Sequence, residues 1–252
     1  MTKHLLFLFA AFVALTTTMP LQAATKQKVT ERRKVARFER IKLVGSPTIR
    51  YVQADTQSVV VTAPQQLVKK VLTTVEGNRL VVSMKGENFS VLKFGDSGQN
   101  VVVTVTSPDL IGVELQGSGD FECKQHLDTD NLDVQLRGSG DIEFTDIICD
   151  NLKASVVGSG DLEVKKVVAQ RVDIELVGSG DVKMNERRVR QTKVELKGSG
   201  DVKLQMTGCG TVDTRLVGSG DITLSGDVAR HNSYSRGSGD VHTKMLQVKS
   251  KK

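Results

Sequence analysis

The tetrapeptide Gly-Ser-Gly-Asp occurs seven times in the C-terminal part of this 252-residue chain, and its regular spacing limits the folds that the chain can adopt. Successive copies are separated by 21, 20, 20, 20, 20 and 19 residues. A fixed period of this length is typical of solenoids, in which each repeat forms one coil and stacks on its neighbours. The seven copies begin at Gly117, Gly138, Gly158, Gly178, Gly198, Gly218 and Gly237.

Apolar and polar residues alternate on both sides of each tetrapeptide, which is typical of β-strands with one buried face. Counted from the first glycine, positions five and seven are apolar in nearly every copy, as in Ile142 and Phe144. No apolar set recurs at the three- and four-residue spacing of a helix. The pattern predicts an all-β fold, a right-handed, single-stranded parallel β-helix with coils of about 20 residues stacked about 4.8 Å apart.

Charged residues at two outward positions give an independent prediction of how the coils stack. At position sixteen the signs alternate through five coils, in Asp133, Lys153, Asp173, Lys193 and Asp213. At position six, three acidic residues are followed by two basic ones, in Glu122, Glu143, Glu163, Lys183 and Lys203. Stacking would place each charge of the first column between opposite charges. It would also make the second column acidic at one end and basic further along.

The chain divides into four predicted parts. Residues 1–23 are a signal peptide and residues 24–34 a basic tail. Residues 35–110 form a β-rich N-terminal capping part with degenerate coils, continuous with the regular β-helix of residues 111–252. Within the capping part, a longer excursion around Pro64–Asn78 is expected to cover the first end of the solenoid.

Two segments of the capping part resemble the regular coils. Ser97–Asn100 begins 20 residues before the first tetrapeptide, which predicts a degenerate coil with Val101 and Val103 at positions five and seven. Leu43–Ile49 is similar to Leu216–Ile222 and predicts another degenerate turn.

The first residues indicate export. Lys3, the eleven-residue apolar run Leu5–Leu15 and a polar stretch ending at Ala23 are the pattern of a secretory signal peptide. Eleven apolar residues are too few to span a bilayer, and no later stretch is long and apolar enough. We therefore expect a protein that does not span the membrane and is periplasmic, cell-surface-associated or secreted.

The net charge of +6 does not indicate nucleic-acid binding, because the positive charge lies near the two ends of the chain. Residues 24–42 contain eight basic and two acidic side chains, and residues 241–252 contain four lysines. Residues 43–240 contain 22 basic and 27 acidic side chains. The chain has no tryptophan and few other aromatic residues, so platforms for stacking bases are also missing.

The aspartate of each tetrapeptide has two interpretations. The first is structural: a carboxylate that accepts backbone N–H hydrogen bonds at the corner of the coil, as in an Asx turn. The alternative is a calcium-binding ladder, because hard cations take carboxylate oxygens. The seven residues of this ladder are Asp120, Asp141, Asp161, Asp181, Asp201, Asp221 and Asp240.

No other pattern predicts a catalytic, cofactor or metal site. Ser118 and its equivalents are turn residues, because no nucleophile-elbow motif surrounds them. The histidines have no paired-ligand spacing and are expected at the surface: His126, His231 and His242. Two charge runs are interpreted as solvated, with a catalytic cleft as the alternative: Asp128, Asp130 and Asp133, and Arg187, Arg188 and Arg190. The thiols of Cys123, Cys149 and Cys209 are expected to be unpaired and mostly buried.

The serial Val/Leu-Val-Gly-Ser-Gly-Asp repeats follow segments such as Phe38–Leu43 and Thr73–Val82. Together they resemble the head GIN-domain family of auto-transporter adhesins, over roughly residues 35–245. The resemblance implies an exported bacterial protein with a parallel β-helical fold. It implies no catalytic or binding residues.

Three functions agree with these observations. The first is an exported β-solenoid, without catalysis or cofactor, that presents an extended surface to an unidentified macromolecule, a surface protein or a glycan, as an adhesin does. The second is a polysaccharide-binding or polysaccharide-active β-helix protein, although the few aromatic residues offer little stacking for sugars. The third is a purely structural component of the cell envelope.

Overall fold

The structure is a computed structural model that describes residues 28–86 and 101–249. Strands make up 73% of it and helix 2%, and stacked parallel coils of about 20 residues form a β-solenoid of about seven turns. The predicted all-β class and the parallel β-helix are therefore confirmed. The predicted signal peptide, residues 1–23, and the predicted turn at Ser97–Asn100 lie outside the described residues.

The described residues form nineteen strands and one short helix. The first group is β1 (Lys28–Arg33), β2 (Arg40–Gly45), β3 (Thr48–Gln53), β4 (Ser58–Pro64), α1 (Gln65–Val68), β5 (Val71–Glu76) and β6 (Arg79–Met84). The second group is β7 (Val102–Ser107), β8 (Gly112–Gly117), β9 (Asp120–Asp128), β10 (Asn131–Gly138), β11 (Ile142–Ile148), β12 (Asn151–Gly158) and β13 (Leu162–Val168). The third group is β14 (Arg171–Gly178), β15 (Val182–Arg187), β16 (Gln191–Gly198), β17 (Val202–Gly218), β18 (Ile222–Gly237) and β19 (Val241–Val248).

Each regular coil contributes one strand to each of two parallel ladders. The first ladder contains the strands that lead into the glycine corner, in the order β6, β2, β8, β10, β12, β14, β16 and the C-terminal halves of β17 and β18. The second ladder contains the strands that follow the corner, in the order β7, β3, β9, β11, β13, β15, the N-terminal halves of β17 and β18, and β19.

The core lies between the ladders and is lined by the inward residues of both. Alternation sends every second side chain inward, so β12 buries Leu152, Ala154 and Val156 and exposes the residues between them in whole or in part. In the first coils the rings of Phe121 and Phe144 pack with their centroids 5.4 Å apart. This continuous apolar column connects the coils and provides their main stabilisation.

The predicted stacking of the outward charges is confirmed by the strand register. Asp133 pairs with Lys153, and the column continues through Asp173, Lys193 and Asp213. The position-six column is also stacked as predicted, from Glu122 through Glu143, Glu163 and Lys183 to Lys203.

The N-terminal coils do not stack in chain order, and this corrects the prediction for residues 97–103. Ile49 pairs with both Phe121 and Val103, so the coil of β2 and β3 lies between β6–β7 and β8–β9. Phe121 is at position five of its coil, so Val103, which stacks in the same column, is also at position five. The 20-residue period had assigned this position to Val101. The degenerate turn predicted at Leu43–Ile49 is present, and its Gly45 stacks directly on Gly117.

The predicted basic tail is in part a strand. Lys28–Arg33 forms β1, which pairs antiparallel with β4, and β4 pairs antiparallel with β7. At the same end, β5 pairs antiparallel with β6 after the short helix α1. Antiparallel strands therefore end both ladders on the N-terminal side. Arg33 is held there by hydrogen bonds to Glu31 (3.0 Å) and to the carbonyl oxygen of Val68 (2.7 Å).

The last coil changes its inward residues from apolar to polar. In β18, His231 and Ser235 stack on the buried Val212 and Leu216 of β17. The apolar side chains of Met245 and Val248 in β19 are 69% and 52% exposed. The apolar column thus ends at β17 on the first ladder, whereas on the second ladder it continues through the buried Ile222, Leu224 and Val228 of β18.

Candidate functional site

The glycine corner is formed by backbone hydrogen bonds between coils. The carbonyl oxygen of Gly158 accepts from the N–H groups of Ser179 (2.9 Å) and Gly180 (3.2 Å), and the same pattern recurs at the other tetrapeptides. The first glycine of every copy has φ between 127° and 143°, where other residues are strained. At the second glycine, a Cβ atom would overlap the carbonyl oxygen of the equivalent residue in the neighbouring coil, which is Pro47 for Gly119 and a glycine for the other copies.

The seven aspartates form a continuous ladder of hydrogen bonds that runs from coil to coil. Oδ1 of Asp161 accepts from the backbone N–H of Asp181 at 2.8 Å. All six links along the column are of this kind, with distances from 2.8 to 3.3 Å. The structural interpretation of the aspartates correctly predicted that their carboxylates accept hydrogen bonds from backbone N–H groups. It placed those N–H groups in the same turn, whereas the structure places them in the next coil.

Asp120 and Asp221, the first and sixth residues of this ladder, differ in acidity. Partial burial raises the pKa of Asp120, and the nearby charge of Asp141 acts in the same direction. The pKa of Asp221 is lowered, first by the hydrogen bond from the N–H of Asp240 and then by His242, whose Nε2 lies 3.3 Å from Oδ2. Hydrogen bonding to the ionised form therefore helps to keep the carboxylate charged where it is exposed.

The structure gives no arrangement that favours calcium on this ladder. Within residues 28–86 and 101–249, no group of three or more His, Cys, Asp and Glu side chains is placed to hold a metal ion. One oxygen of each carboxylate from Asp120 to Asp221 already accepts a backbone hydrogen bond. The calcium ladder of Asp120, Asp141, Asp161, Asp181, Asp201, Asp221 and Asp240 stays an untested alternative.

The outer faces of both ladders carry a dense pattern of charged side chains. On the second ladder, Glu122 lies between Arg50 (3.3 Å) and Lys124 (3.2 Å). On the first ladder, Glu195 contacts Lys197 (3.2 Å) and Arg215 (3.7 Å). Such exposed pairs stabilise the fold little, about 0.2–1 kcal/mol each, and leave the surface available for other charges.

A shallow groove of about 500 Å³ crosses the outer face of the first ladder. The amide of Asn151 donates to Asn131 at 2.8 Å along one side of it. In the next coil, Arg171 stacks on Asn151 and donates to Gln191 at 2.9 Å. Charged side chains line the groove: Arg40, Asp133, Lys153, Arg171 and Asp173. The groove is open and combines these charged side chains with the apolar Ile111, Leu132 and Leu152, which suits contact with an extended partner better than enclosure of a small molecule.

The acidic run proposed as a possible cleft is not assembled into a paired-carboxylate site. Asp128 and Asp130 are exposed at the corner after β9, whereas Asp133 lies on the first ladder beside Arg40, at 3.6 Å.

The histidines are also dispersed. His126 contacts Asp146 (3.3 Å), His242 contacts Asp221 (3.3 Å), and His231 contacts the hydroxyl of Thr214 (3.1 Å). His231 is partly buried instead of fully exposed, and burial lowers its pKa.

The basic run is held together at one corner. All three arginines are exposed, Arg187 as the last residue of β15 and Arg188 and Arg190 in the connection to β16, and Val189 is buried. Among the described residues, none of the three arginines forms a salt bridge. Arg188 has φ of 55°, in the left-handed region.

A buried carboxylate was missed by the sequence reasoning. Glu186 is fully buried, and its Oε2 accepts a short hydrogen bond from the hydroxyl of Thr192 (2.6 Å). Its Oε1 has no partner in the described part of the chain, and burial raises its pKa to about 7. Extending the inward alternation of Val182 and Met184 by one step would have placed Glu186 in the core.

The three cysteines are free and buried, as the sequence predicted. Burial raises the pKa of Cys123 to about 11 and of Cys149 to about 12. The thiolate is the reactive form, so these thiols are poor nucleophiles near neutral pH.

Comparison with protein families identifies the chain. A family model described as "Putative auto-transporter adhesin, head GIN domain" matches residues 37–227 and 193–252. The chain belongs to this family. The match covers nearly the whole solenoid, and it confirms the resemblance carried by the Gly-Ser-Gly-Asp repeats. No curated protein was found to match.

Solved structures of other proteins share this fold. A "putative adhesin" from Bacteroides fragilis has a TM-score of 0.74 and 24% sequence identity, with 86% of this chain and 97% of that chain covered. A second "putative adhesin", from Parabacteroides distasonis, has a TM-score of 0.72 and 20% identity, with the same coverage. A "putative lipid binding protein" from the same species has a TM-score of 0.65 and 25% identity, again with 86% and 97% covered. In the part of this chain that the structure describes, no helix is long and apolar enough to cross a membrane.

Proposed function

We propose that the protein is an exported β-solenoid that presents its outer faces to a macromolecular partner, in the manner of an adhesin and without catalysis. The main support is the continuous outer surface, on which equivalent charged positions stack in register through successive coils. At about 4.8 Å per coil, seven coils extend about 34 Å, which suits contact along a polymer or a protein surface. The adhesin names of the family and of two related structures agree with this role.

The absence of catalysis is supported by the dispersal of the candidate residues. Asp133 lies on the first ladder, away from the corner that holds Asp128 and Asp130, and the histidines contact different partners. General acid–base chemistry needs such groups to converge on one substrate atom.

Glycan and matrix-protein arrays test the proposed function. The chain without residues 1–23 is expected to bind a defined subset of either array, because its charge pattern is fixed by the fold. Heat-unfolded protein of the same sequence is the control and should lose this selectivity. Silence on both arrays, together with turnover of a polysaccharide, would contradict the adhesin role and favour an enzyme.

A further inference from the structure

Three arginines project from a single corner of the solenoid. They lie within the four residues Arg187–Arg190, at the end of β15 and before β16 begins at Gln191. The flanking residues Glu186 and Val189 are buried, which directs the arginines outward. We call Arg187, Arg188 and Arg190 the arginine ridge. No carboxylate in the described ranges pairs with it, so its guanidinium groups are available to a ligand.

The backbone of Arg188 points to selection for its side chain. Its φ of 55° makes it the only non-glycine residue with positive φ among residues 28–86 and 101–249. In the next coil, Gly208 has φ of 63° and its added Cβ would meet Cγ of Arg188, so the two residues occupy neighbouring positions. Glycine would fit the corner without strain, as it does one coil later. Strained residues that persist in a fold are often functional.

The neighbouring coil leaves open space beside the ridge. Its corner contains Gly208, which is exposed, and Gly210, which stacks on Arg190. Gly208 would have only Arg188 near an added Cβ atom. The N–H of Gly208 donates to the carboxylate of Asp227, which is itself paired with Lys249 (2.7 Å). A ligand can therefore approach the Cα side of Gly208, where no side chain stands, while it contacts the arginines.

The surroundings of the ridge discriminate between classes of partner. Guanidinium groups form bidentate hydrogen bonds with carboxylate and sulfate-like groups. None of the exposed large apolar side chains belongs to this coil, so the buried aromatic or aliphatic anchor of a protein interface is lacking. Aromatic rings for base stacking are also missing, because the corner residues are Arg, Val, Thr, Gly and Cys.

We propose that the arginine ridge and the glycine corner beside it bind a linear polysaccharide that carries carboxylate or sulfate groups. This inference rests on the proposed function and names the partner class for one part of the outer surface. Anionic groups along the polymer pair with successive arginines, while the sugar backbone lies along the exposed backbone of Thr207–Gly210.

Heparin and polygalacturonate are suitable probes, and neutral dextran is the uncharged reference. In 0.15 M NaCl, the variant Arg187→Gln/Arg188→Gly/Arg190→Gln should bind heparin at least about tenfold more weakly than the wild type, because charge-assisted hydrogen bonds are lost. The single variant Arg188→Gly should also bind more weakly, while its thermal stability is unchanged or raised. Opposite effects on binding and stability separate loss of a contact from loss of the fold.

A variant with the same change in net charge provides the matched control. Lys69→Gln/Lys70→Gln/Lys85→Gln removes three exposed basic groups at the N-terminal end of the solenoid and should change heparin binding less than about twofold. Equal losses in the two triple variants would attribute binding to net charge and overturn the inference. Tighter binding to double-stranded DNA than to either polysaccharide would also overturn it. If the ridge variant retains every array partner of the wild type, the ridge is excluded and the proposed function stands; if the wild type binds nothing, the proposed function fails as well.

Discussion

Both glycines of each tetrapeptide lie too close to the preceding coil for a Cβ atom, and the first also has positive φ, so alanine at the second glycine isolates the effect of the close contact. In Gly180→Ala, the new Cβ would overlap the carbonyl oxygen of Gly160, and backbone cannot move away as a flexible side chain can. We expect a loss of at least about 3 kcal/mol in the free energy of unfolding. Gly77→Ala is the matched control, because it has φ of 64° and free space around an added Cβ.

The control should cost only the strain of the left-handed conformation, about 1–2 kcal/mol. Urea unfolding followed by circular dichroism measures both values. A loss in Gly180→Ala no larger than that in Gly77→Ala would show that the coils move apart to accept the Cβ atom and that close stacking does not explain the second glycine.

Glu186 should make the stability of the protein depend on pH. Burial raises its pKa from the ordinary value of 4.5 to about 7, so the folded protein binds a proton that the unfolded chain releases between these values. The contribution is therefore most favourable below pH 4.5 and is lost as the pH rises to about 7, by about 3 kcal/mol. Above pH 7 the contribution no longer changes.

Glu186→Gln removes this titration and keeps an acceptor for the hydroxyl of Thr192. The difference in unfolding free energy between variant and wild type should grow in favour of the variant by about 3 kcal/mol between pH 4.5 and 7.5. Urea titrations of both proteins at the two pH values give this difference directly. A constant difference would mean that Glu186 stays charged in the folded protein.

Among the repeated elements, the aspartate ladder should stabilise the fold through its hydrogen-bond acceptor atoms more than through its negative charge. Asp181→Asn keeps an oxygen that can accept from the N–H of Asp201 and removes repulsion of about 0.9 kcal/mol from each neighbour in water-like surroundings. We expect its stability to equal or exceed that of the wild type. Asp181→Ala should lose about 1 kcal/mol, because the hydrogen bond is gone and water replaces it only in part.

Chemical unfolding at low and high salt measures these differences. The advantage of Asp181→Asn should shrink in 1 M NaCl, since salt screens exposed charges. Asparagine as destabilising as alanine would show that the negative charge itself is needed.

Calcium should have no effect on this ladder if its role is structural. One oxygen of each carboxylate from Asp120 to Asp221 is already bound to a backbone N–H of the adjacent coil. We expect the thermal midpoint to be the same with and without a chelator. A rise of several degrees in millimolar calcium would overturn this expectation and restore the calcium-binding interpretation.

The regular coils could be predicted from the sequence because the glycine corners and the inward and outward side chains repeat with the same period of about 20 residues. The alternation of Asp133, Lys153 and Asp173 predicted their register, and the strands confirm it. The insertion of the β2–β3 coil between two later coils could not be predicted. Val101 and Val103 are both apolar, so the inward pattern is the same whichever of them is placed at position five. The partner of each ladder aspartate was likewise undetermined, because spacing alone does not distinguish a hydrogen bond within a turn from one between coils.

For the whole molecule, the change of core composition along the axis predicts a gradient of local stability. Middle coils pair with neighbours on both sides and bury apolar columns such as Val156, Leu176 and Leu196. The last coil replaces them with Ser235 and carries exposed residues such as Met245. In a solenoid each coil is stabilised mainly by its neighbours, so the end with fewer apolar contacts opens first.

Hydrogen–deuterium exchange of the whole chain tests this gradient. Amides of residues 230–248 should exchange at least about tenfold faster than those of 151–198, which corresponds to a difference of at least about 1.4 kcal/mol in opening free energy. Peptides from both ranges come from the same sample, so the middle coils serve as the internal reference. Uniform protection from β12 to β19 would show that the solenoid opens as one cooperative unit, in which the polar last coil is as firmly held as the apolar centre.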